Sequence, residues 1–468
     1  MNDKLHASAT HTIRWNLLGS ITFELAKAAH HVGLYLALTT IPYAHISVLF
    51  SLIYLTAFFG GLEGGNALLP HLKSIRQSPR ASSFILRKLL APQSALYATA
   101  AYLLGWHLTT HVGASSLEAT LASIIVITEG LRSSMRAILH PLYGAKKVTT
   151  IEHPLTAGYF LYIWSGYLSN NFPLTPARLL APFALTSCIA VGIFIYKVWR
   201  LPSGANPNTK LPNTNDLIKG RLVLCALHLP RNIFSGNLLV PVFAASVGPA
   251  FAAATKLTSE VANAVRALLK TTIGVSLNTL FTMFTKREYQ RDAFSILWQQ
   301  LNEVLVSAAI IFACLLPHMY NGTATSLGVL LGLFIGIATI DYLFIIYEHL
   351  YIMNKQAGQM AQYRGIEAAM GIGSIFIASG RPIIVLASIS VIKIVVWYHA
   401  MHNAHTRWQV QPHAKIRPLV VGCAIILGAL LSRGVSIVKY RQRSKEHKAL
   451  QQSAARPSPL FQVKHPSQ

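Results

Sequence analysis

The chain has 468 residues, 53% hydrophobic and only 12% charged, with a mean hydropathy of +0.44 and a formal net charge of +25. A soluble globular chain carries about 25% charged residues. The composition therefore excludes a soluble multidomain enzyme, a disordered protein and a coiled coil, and leaves an all-α, polytopic helical membrane protein. The four cysteines (Cys188, Cys225, Cys314 and Cys423) lie far apart in apolar stretches, which implies neither a disulfide framework nor a zinc site. The polar start, Met1 to Arg14, runs into a long apolar stretch with no short apolar region and cleavage site, so no removable signal peptide is expected.

A spanning helix needs about 20 mostly apolar residues. In chain order, candidates fall at 16–39, 43–69, 90–110, 117–139, 153–170 and 176–199. A polar Pro- and Asn-rich linker, Leu201 to Asp216, follows. Six more candidates come after it, at 221–246, 250–276, 293–316, 324–351, 362–380 and 382–402. An extra apolar segment at 416–439 precedes a basic polar tail. The expected organisation is an N-terminal lobe over 1–200, an inner linker over 201–216, a C-terminal lobe over 217–402, and 403–468 beyond it. The total is twelve to fourteen spans.

The two sets of six read as a repeat. A shift of about 207 residues lays Thr39–Pro42 on Ser246–Pro249 and brings Pro176 beside Pro382, the kind of weak symmetry common in transporters. Six is even, so the halves enter the membrane in the same direction and form parallel repeats. With the N-terminus inside, the inner segments hold 22 Lys and Arg, from Lys4 and Arg14 through Lys73–Lys88, Lys146–Lys147, Lys197–Arg221, Lys286–Arg291, Lys355 and Arg364 to Arg407–Arg417. The outer loops hold two, Arg178 and Arg381. Cytoplasmic loops concentrate Lys and Arg, so this asymmetry reports orientation and removes nucleic acid as the reason for the basic excess. One feature opposes the rule: if 416–439 spans, the basic tail from Lys439 to Lys448 lies outside.

An ionisable residue within a span costs about 2.5–3.5 kcal/mol on insertion scales, so such residues face a bundle interior or a wet cavity. Nine cations lie three or more residues inside the ends of candidate spans: Lys27, Arg132, Arg136, Arg231, Lys256, Arg266, Lys270, Lys393 and Arg433. Glu24, Lys27 and His31 share one helical face, as do Glu129, Arg132 and Arg136. On the eighth span Lys256, Glu260, Asn263, Arg266 and Lys270 share one face that is net positive. The seventh span holds His228 just before Pro230, and Arg231, Asn232 and Asn237 between Pro230 and Pro241, where proline is expected to kink the helix. Arg231, Lys256 and Arg266, with Lys27, Asn232 and Asn263, are the candidates for a cationic substrate cavity. Asp341, Glu348, Glu129 and Glu24 are the candidates for coupling to protons or sodium. The bland readings are internal salt bridges and, for Arg136 and Lys270, snorkelling to the inner interface.

The remaining motifs carry less chemistry. The run Gly60-Gly61-Leu62-Glu63-Gly64-Gly65 follows no strand and lacks a phosphate-loop ending, so it reads as a flexible or close-packing part of the second span. The nineteen histidines show no metal-binding spacing, and neither a metal nor a cofactor is expected. Asn321-Gly322-Thr323 is a sequon in an outer loop, relevant only in a glycosylating host.

The opening Arg14-Trp15-Asn16-Leu17-Leu18-Gly19, the glycine-rich second span ending in Asn66-Ala67-Leu68-Leu69-Pro70-His71-Leu72 before a basic loop, and the two six-helix halves resemble the multidrug/oligosaccharidyl-lipid/polysaccharide (MOP) exporter superfamily over residues 14–402. Within it the chain is more similar to the polysaccharide flippases than to the drug exporters. The resemblance implies two six-helix lobes around a central cavity that opens alternately to each side. It implies a flippase for anionic lipid-linked oligosaccharides of the polyprenyl-pyrophosphate type, acting in polysaccharide biosynthesis. Its partners would be membrane lipids and the lipid-linked glycan, and its place the plasma (inner) membrane. The alternatives are a cation-coupled multidrug exporter on the same fold, a membrane-embedded glycosyl- or acyltransferase, and a non-transporting scaffold. Asp occurs only at 3, 216, 292 and 341 and the loops are short, which gives an enzyme little to work with.

Overall fold

The computed structural model describes residues 25–61, 65–143, 145–169, 173–201, 209, 211–272, 299, parts of 302–314, 327–354, 356–408 and 418–454. Among them there is no strand. Helix α1 covers 25–37 and α2 Thr40–Gly61. A 3-10 turn at Asn66–His71 and two short helices lead to α3, Ala91–His107, which π-helical turns extend at both ends. Then come α4 Ser116–Tyr143, α5 Ala145–Leu168 and α6 Pro176–Trp199. The seventh helix is broken into α7a, Thr214–Asn232, and α7b, Leu239–Ser246; α8 is Pro249–Thr272. The helical residues between 299 and 314 form α9. The chain continues with α10 Leu327–Met353, α11 Ala357–Ala378, α12 Pro382–Trp408 and α13 Pro418–Ala454.

Local chemistry sets several of these ends. Ser115 and Glu118 form a reciprocal capping box at α4: Glu118 accepts from the Ser115 N–H at 2.9 Å, and the Ser115 hydroxyl accepts from the Glu118 N–H at 3.3 Å. Thr175 caps α6 ahead of Pro176, and Asn213 caps α7a by accepting from the Asp216 N–H at 2.8 Å. The helix therefore starts at Thr214, inside the stretch read as linker; residues 202–208 and Lys210 of that linker lie outside the described residues.

Two features of the helices matter for the site. The fifth span was expected over 153–170, yet α5 begins at Ala145 and runs through Pro154. That brings Glu152 into the bundle. The kink of the seventh span falls at Ile233–Asn237, between Pro230 and Pro241, and Pro241 has no N–H to give the Asn237 carbonyl four residues before it. There Gly236 has φ 108°, a left-handed conformation open to glycine, and a Cβ would collide with Ser259 of α8.

The inside-out character expected of a membrane protein is plain in the packing. Outer faces carry large apolar side chains in the open, such as Tyr102 on α3, Leu161 on α5, and Phe376 and Ile377 on α11. Buried positions hold charges instead. By length and composition alone three described helices are apolar enough to cross a membrane: α2, α6 and α12. Other long helices, α4 and α8 among them, miss that criterion because their charged faces turn inward, as the next section shows.

The halves touch through a few elements. Helix α2 packs on α8, α7b and the turn between α7a and α7b, and α7a packs on the Asn66–His71 turn. Ala253 of α8 joins the apolar core built by α1–α6, and Leu217 of α7a joins the second N-terminal cluster. Helix α13 lies against the C-terminal core through Val435, and its Gly428 closes on Cys314 of α9.

Candidate functional site

A cavity of about 350 Å³ opens between the early helices and the α7a–α8 segment. Its walls are α1, α2, α3 and α4 on one side and α7a, the broken turn and α8 on the other. The charged lining residues are Lys27, Arg132, Arg136 and Arg231 against Glu129 and Glu260. Asn232, Asn237, Asn263, Ser133, Ser134 and Ser235 supply uncharged polar groups, and Tyr54 and Phe58 an aromatic wall.

The floor on the α2–α4 side is a slot built for one ring. Gly60 and Gly61 end α2, Gly130 lies on α4, and a Cβ at any of them would collide with Tyr97 of α3. The Tyr97 hydroxyl donates to the Gly130 carbonyl at 2.9 Å and contacts Ser134 Oγ at 3.2 Å. Gln93 donates to the Gly61 carbonyl at 3.1 Å. The close-packing reading of the glycine run holds for Gly60, Gly61 and Gly65; residues 62–64 lie outside the described residues.

The α4 face carries its charges in a chain of pairs. Arg132 meets Glu129 at 2.7 Å, and Glu129 also accepts a short hydrogen bond from Ser187 of α6. Glu152, buried on α5, lies 3.3 Å from Arg136 and 4.0 Å from Arg132. Arg136 stays 39% exposed at its side chain while lining the cavity, which replaces the expected snorkelling with a cavity-facing pair.

Opposite, Glu260 of α8 stands between two lysines. Lys27 of α1 approaches it at 3.0 Å and Lys256 of its own helix at 2.6 Å, both beside the Tyr54 ring. Lys256 is fully buried behind Glu260 and is not part of the cavity wall. Arg231 faces the cavity from the last turn of α7a and has no acidic partner among the described residues. Among the described residues, five cations (Lys27, Arg132, Arg136, Arg231 and Lys256) thus meet three carboxylates (Glu129, Glu152 and Glu260), a net charge of +2 for these eight when all are ionised.

Of the residues selected from sequence, Lys27, Arg231, Asn232, Asn263 and Glu129 line this cavity, and Lys256 lies just behind it. The Arg266 side chain and Glu24 lie outside the described residues. Asp341 and Glu348 are elsewhere, in a second buried cluster of the C-terminal half. Lys393 of α12 sits 2.6 Å from Asp341 and 2.5 Å from Glu367. Arg364 of α11 lies 2.5 Å from Glu367, 3.1 Å from Glu348 and 3.3 Å from Asp341, and donates to the Leu227 carbonyl of α7a at 3.1 Å. Phe344 lies against the Arg364 guanidinium and Phe234 against the Lys393 ammonium. All five charged side chains are buried, and three carboxylates face two cations.

This cluster corrects one expectation: Arg364, counted among inner-loop cations, is in α11 with 1% exposure. Its partner Glu367 was overlooked. The signal was available, since Arg364 and Glu367 are spaced i, i+3. Arg132 and Arg136 line the cavity together with Arg231, and Glu152 lies one residue before the candidate span 153–170, outside the charges read as lying in spans.

No protein-family model and no curated protein matches the sequence. Solved structures do match. A lipid II flippase, MurJ, in an inward closed conformation aligns with a TM-score of 0.58 at 12% identity, over 94% of this chain and 99% of that one. A multidrug resistance MATE family transporter of the MOP superfamily, outward-facing, aligns with a TM-score of 0.54 at 12% identity, over 86% and 96%. An inward-facing structure of such a transporter aligns at 0.50 and 13% identity, over 85% and 96%. The fold is that of the MOP-superfamily transporters, and the chain is a multi-pass helical membrane protein. The flippase and the drug transporters are what it is similar to in architecture.

Proposed function

We propose that the protein is an alternating-access flippase whose cavity takes the anionic headgroup of a lipid-linked oligosaccharide, of the polyprenyl-pyrophosphate type, and carries it across the membrane for polysaccharide assembly. The observation that supports this most is the cavity's net positive charge, with Arg231 facing it unpaired by any described acid. Phosphate in bare hydrocarbon is prohibitive, so its path must be wet and cationic. Arginine suits such a group because its planar fork grips two oxygens at once, and three arginines line this cavity. The aliphatic tail stays in the bilayer while the headgroup crosses.

The multidrug exporter on the same fold is the competing reading. A cavity for cationic drugs calls for an anionic wall, and here four lining cations outnumber two lining carboxylates. Coupling to protons or sodium is assigned in this reading to the Asp341 and Glu348 cluster, where three carboxylates meet two cations among the described residues, with Glu129 a second candidate. The N-terminus is placed inside, at the plasma membrane.

The deciding experiment is a flipping assay in proteoliposomes with a fluorescent polyprenyl-pyrophosphate disaccharide, beside uptake of a cationic dye. Translocation of the anionic lipid that disappears in Arg231→Ala, with no dye uptake, supports the flippase. Dye transport without lipid translocation overturns it. A proton or sodium dependence unchanged in Asp341→Asn removes the coupling assignment alone.

A further inference from the structure

Glu260 shares itself between the halves. Lys27 belongs to α1 in the N-terminal half, while Glu260 and Lys256 belong to α8 in the C-terminal half. The three groups form a buried +,−,+ row in which one carboxylate serves two ammonium groups. Burial is unequal: Lys256 and Glu260 are sealed in, whereas the Lys27 side chain keeps 21% exposure and lines the cavity. Each oxygen of the Glu260 carboxylate meets a different lysine, Oε1 lying 2.6 Å from Lys256 Nζ and Oε2 3.0 Å from Lys27 Nζ.

We infer that the Lys27–Glu260 pair is a ligand-released latch between the halves: an anion entering the cavity takes Lys27, and Glu260 passes entirely to Lys256. The exchange is charge-balanced. At rest the row carries one net positive charge. With an anionic oxygen on Lys27, two neutral pairs remain, one within α8 and one between α1 and the ligand. No buried carboxylate is stranded when the halves part, because Lys256 stays with Glu260 on the same helix. The empty protein stays latched, and only a bound anion unlatches it at low cost. The inference rests on the anionic-substrate reading above and adds how occupancy is passed to the movement of the halves.

The test measures the α1–α8 separation directly. Spin labels at Ala29→Cys on α1 and Ala250→Cys at the start of α8, with the four native cysteines replaced by alanine, report the distance by pulsed electron resonance in nanodiscs. Inorganic pyrophosphate is the probe, and its affinity is measured in parallel by calorimetry. In the otherwise wild-type protein pyrophosphate shifts the distance to longer values. Lys27→Met and Glu260→Gln each show the longer distance without ligand, and pyrophosphate adds no further shift. Lys256→Met keeps the short resting distance but loses the pyrophosphate shift, because releasing Glu260 would strand its charge. The latch is overturned if both Lys27→Met and Glu260→Gln rest at the wild-type distance, or if Lys256→Met responds like wild type. It is overturned too if pyrophosphate binds the wild type without moving the labels. If pyrophosphate does not bind the wild type at all, the anionic-substrate reading fails instead, and the resting distances of the Lys27 and Glu260 variants still judge the latch.

Discussion

At the scale of single residues, a side chain's worth depends on whether it already has a partner. Arg231 has no described acid and faces the cavity. Hydrogen bonds to charged groups contribute about 1.5–3 kcal/mol, so Arg231→Ala should weaken pyrophosphate binding about 10- to 100-fold. Arg231→Lys should recover part of that loss, since charge persists while the fork is gone. Calorimetry on the purified variants reads both, and equal affinity in Ala and wild type would remove Arg231 from the site. Gly236 is the backbone counterpart. Its φ of 108° and its contact with Ser259 leave no place for a Cβ. Gly236→Ala should lower the thermal midpoint by an amount corresponding to at least about 1–2 kcal/mol, the cost of left-handed backbone for other residues. The pairing of Lys27 and Arg231 with one cavity could be seen in sequence, because charges in spans must turn inward. The split between cavity residues and the Asp341 cluster could not, because it depends on which helices are neighbours.

At the scale of elements, α10, α11 and α12 are pinned together by charges rather than by apolar packing alone. Lys393 on α12 holds Asp341 of α10 and Glu367 of α11 simultaneously. Removing one partner of a buried ion pair costs about 3–5 kcal/mol, since the other charge is left uncompensated. Lys393→Met should therefore destabilise the C-terminal half strongly. Adding Glu367→Gln should restore part of the loss by removing one stranded charge. Thermal unfolding in detergent measures both, and a double variant no better than the single would show that the lysine acts through packing. Helix existence was readable from apolar runs at nearly every element. The ends were not: α5 runs nine residues ahead of Pro154 because a proline in a membrane helix is tolerated where neighbours satisfy the freed backbone group.

At the scale of the molecule, six longer helices, α1–α6, precede Leu201 among the described residues, and the loop cations set the expected direction of each. Cysteines introduced near Lys88 should react with membrane-impermeant maleimide only from the inside, and those near Asn321 only from the outside; reaction near Lys88 from outside defeats the orientation. The 207-residue shift makes a further demand. An experimental structure should superpose 14–200 on 217–402 with both halves pointing the same way through the membrane. The all-helical fold was legible because apolar runs are written locally. The cavity was legible only in outline: Arg132 and Arg136 complete it, and their part depends on α4 facing α7a across the gap, a relation between distant segments that no local pattern encodes.

The break in the seventh helix makes α7a a rigid arm of nineteen residues, about 28 Å long at 1.5 Å per residue. Its fulcrum, Ile233–Asn237, lies in the cavity wall, and Arg231 sits two residues from it. A rotation of about 10° at that fulcrum moves Arg231 by less than the width of an atom but sweeps the Thr214 end through about 5 Å. Movement at the cavity wall and movement at the far end of the arm are thereby separated. The same small turn that leaves the arginine facing the cavity displaces the far end by half the diameter of a helix.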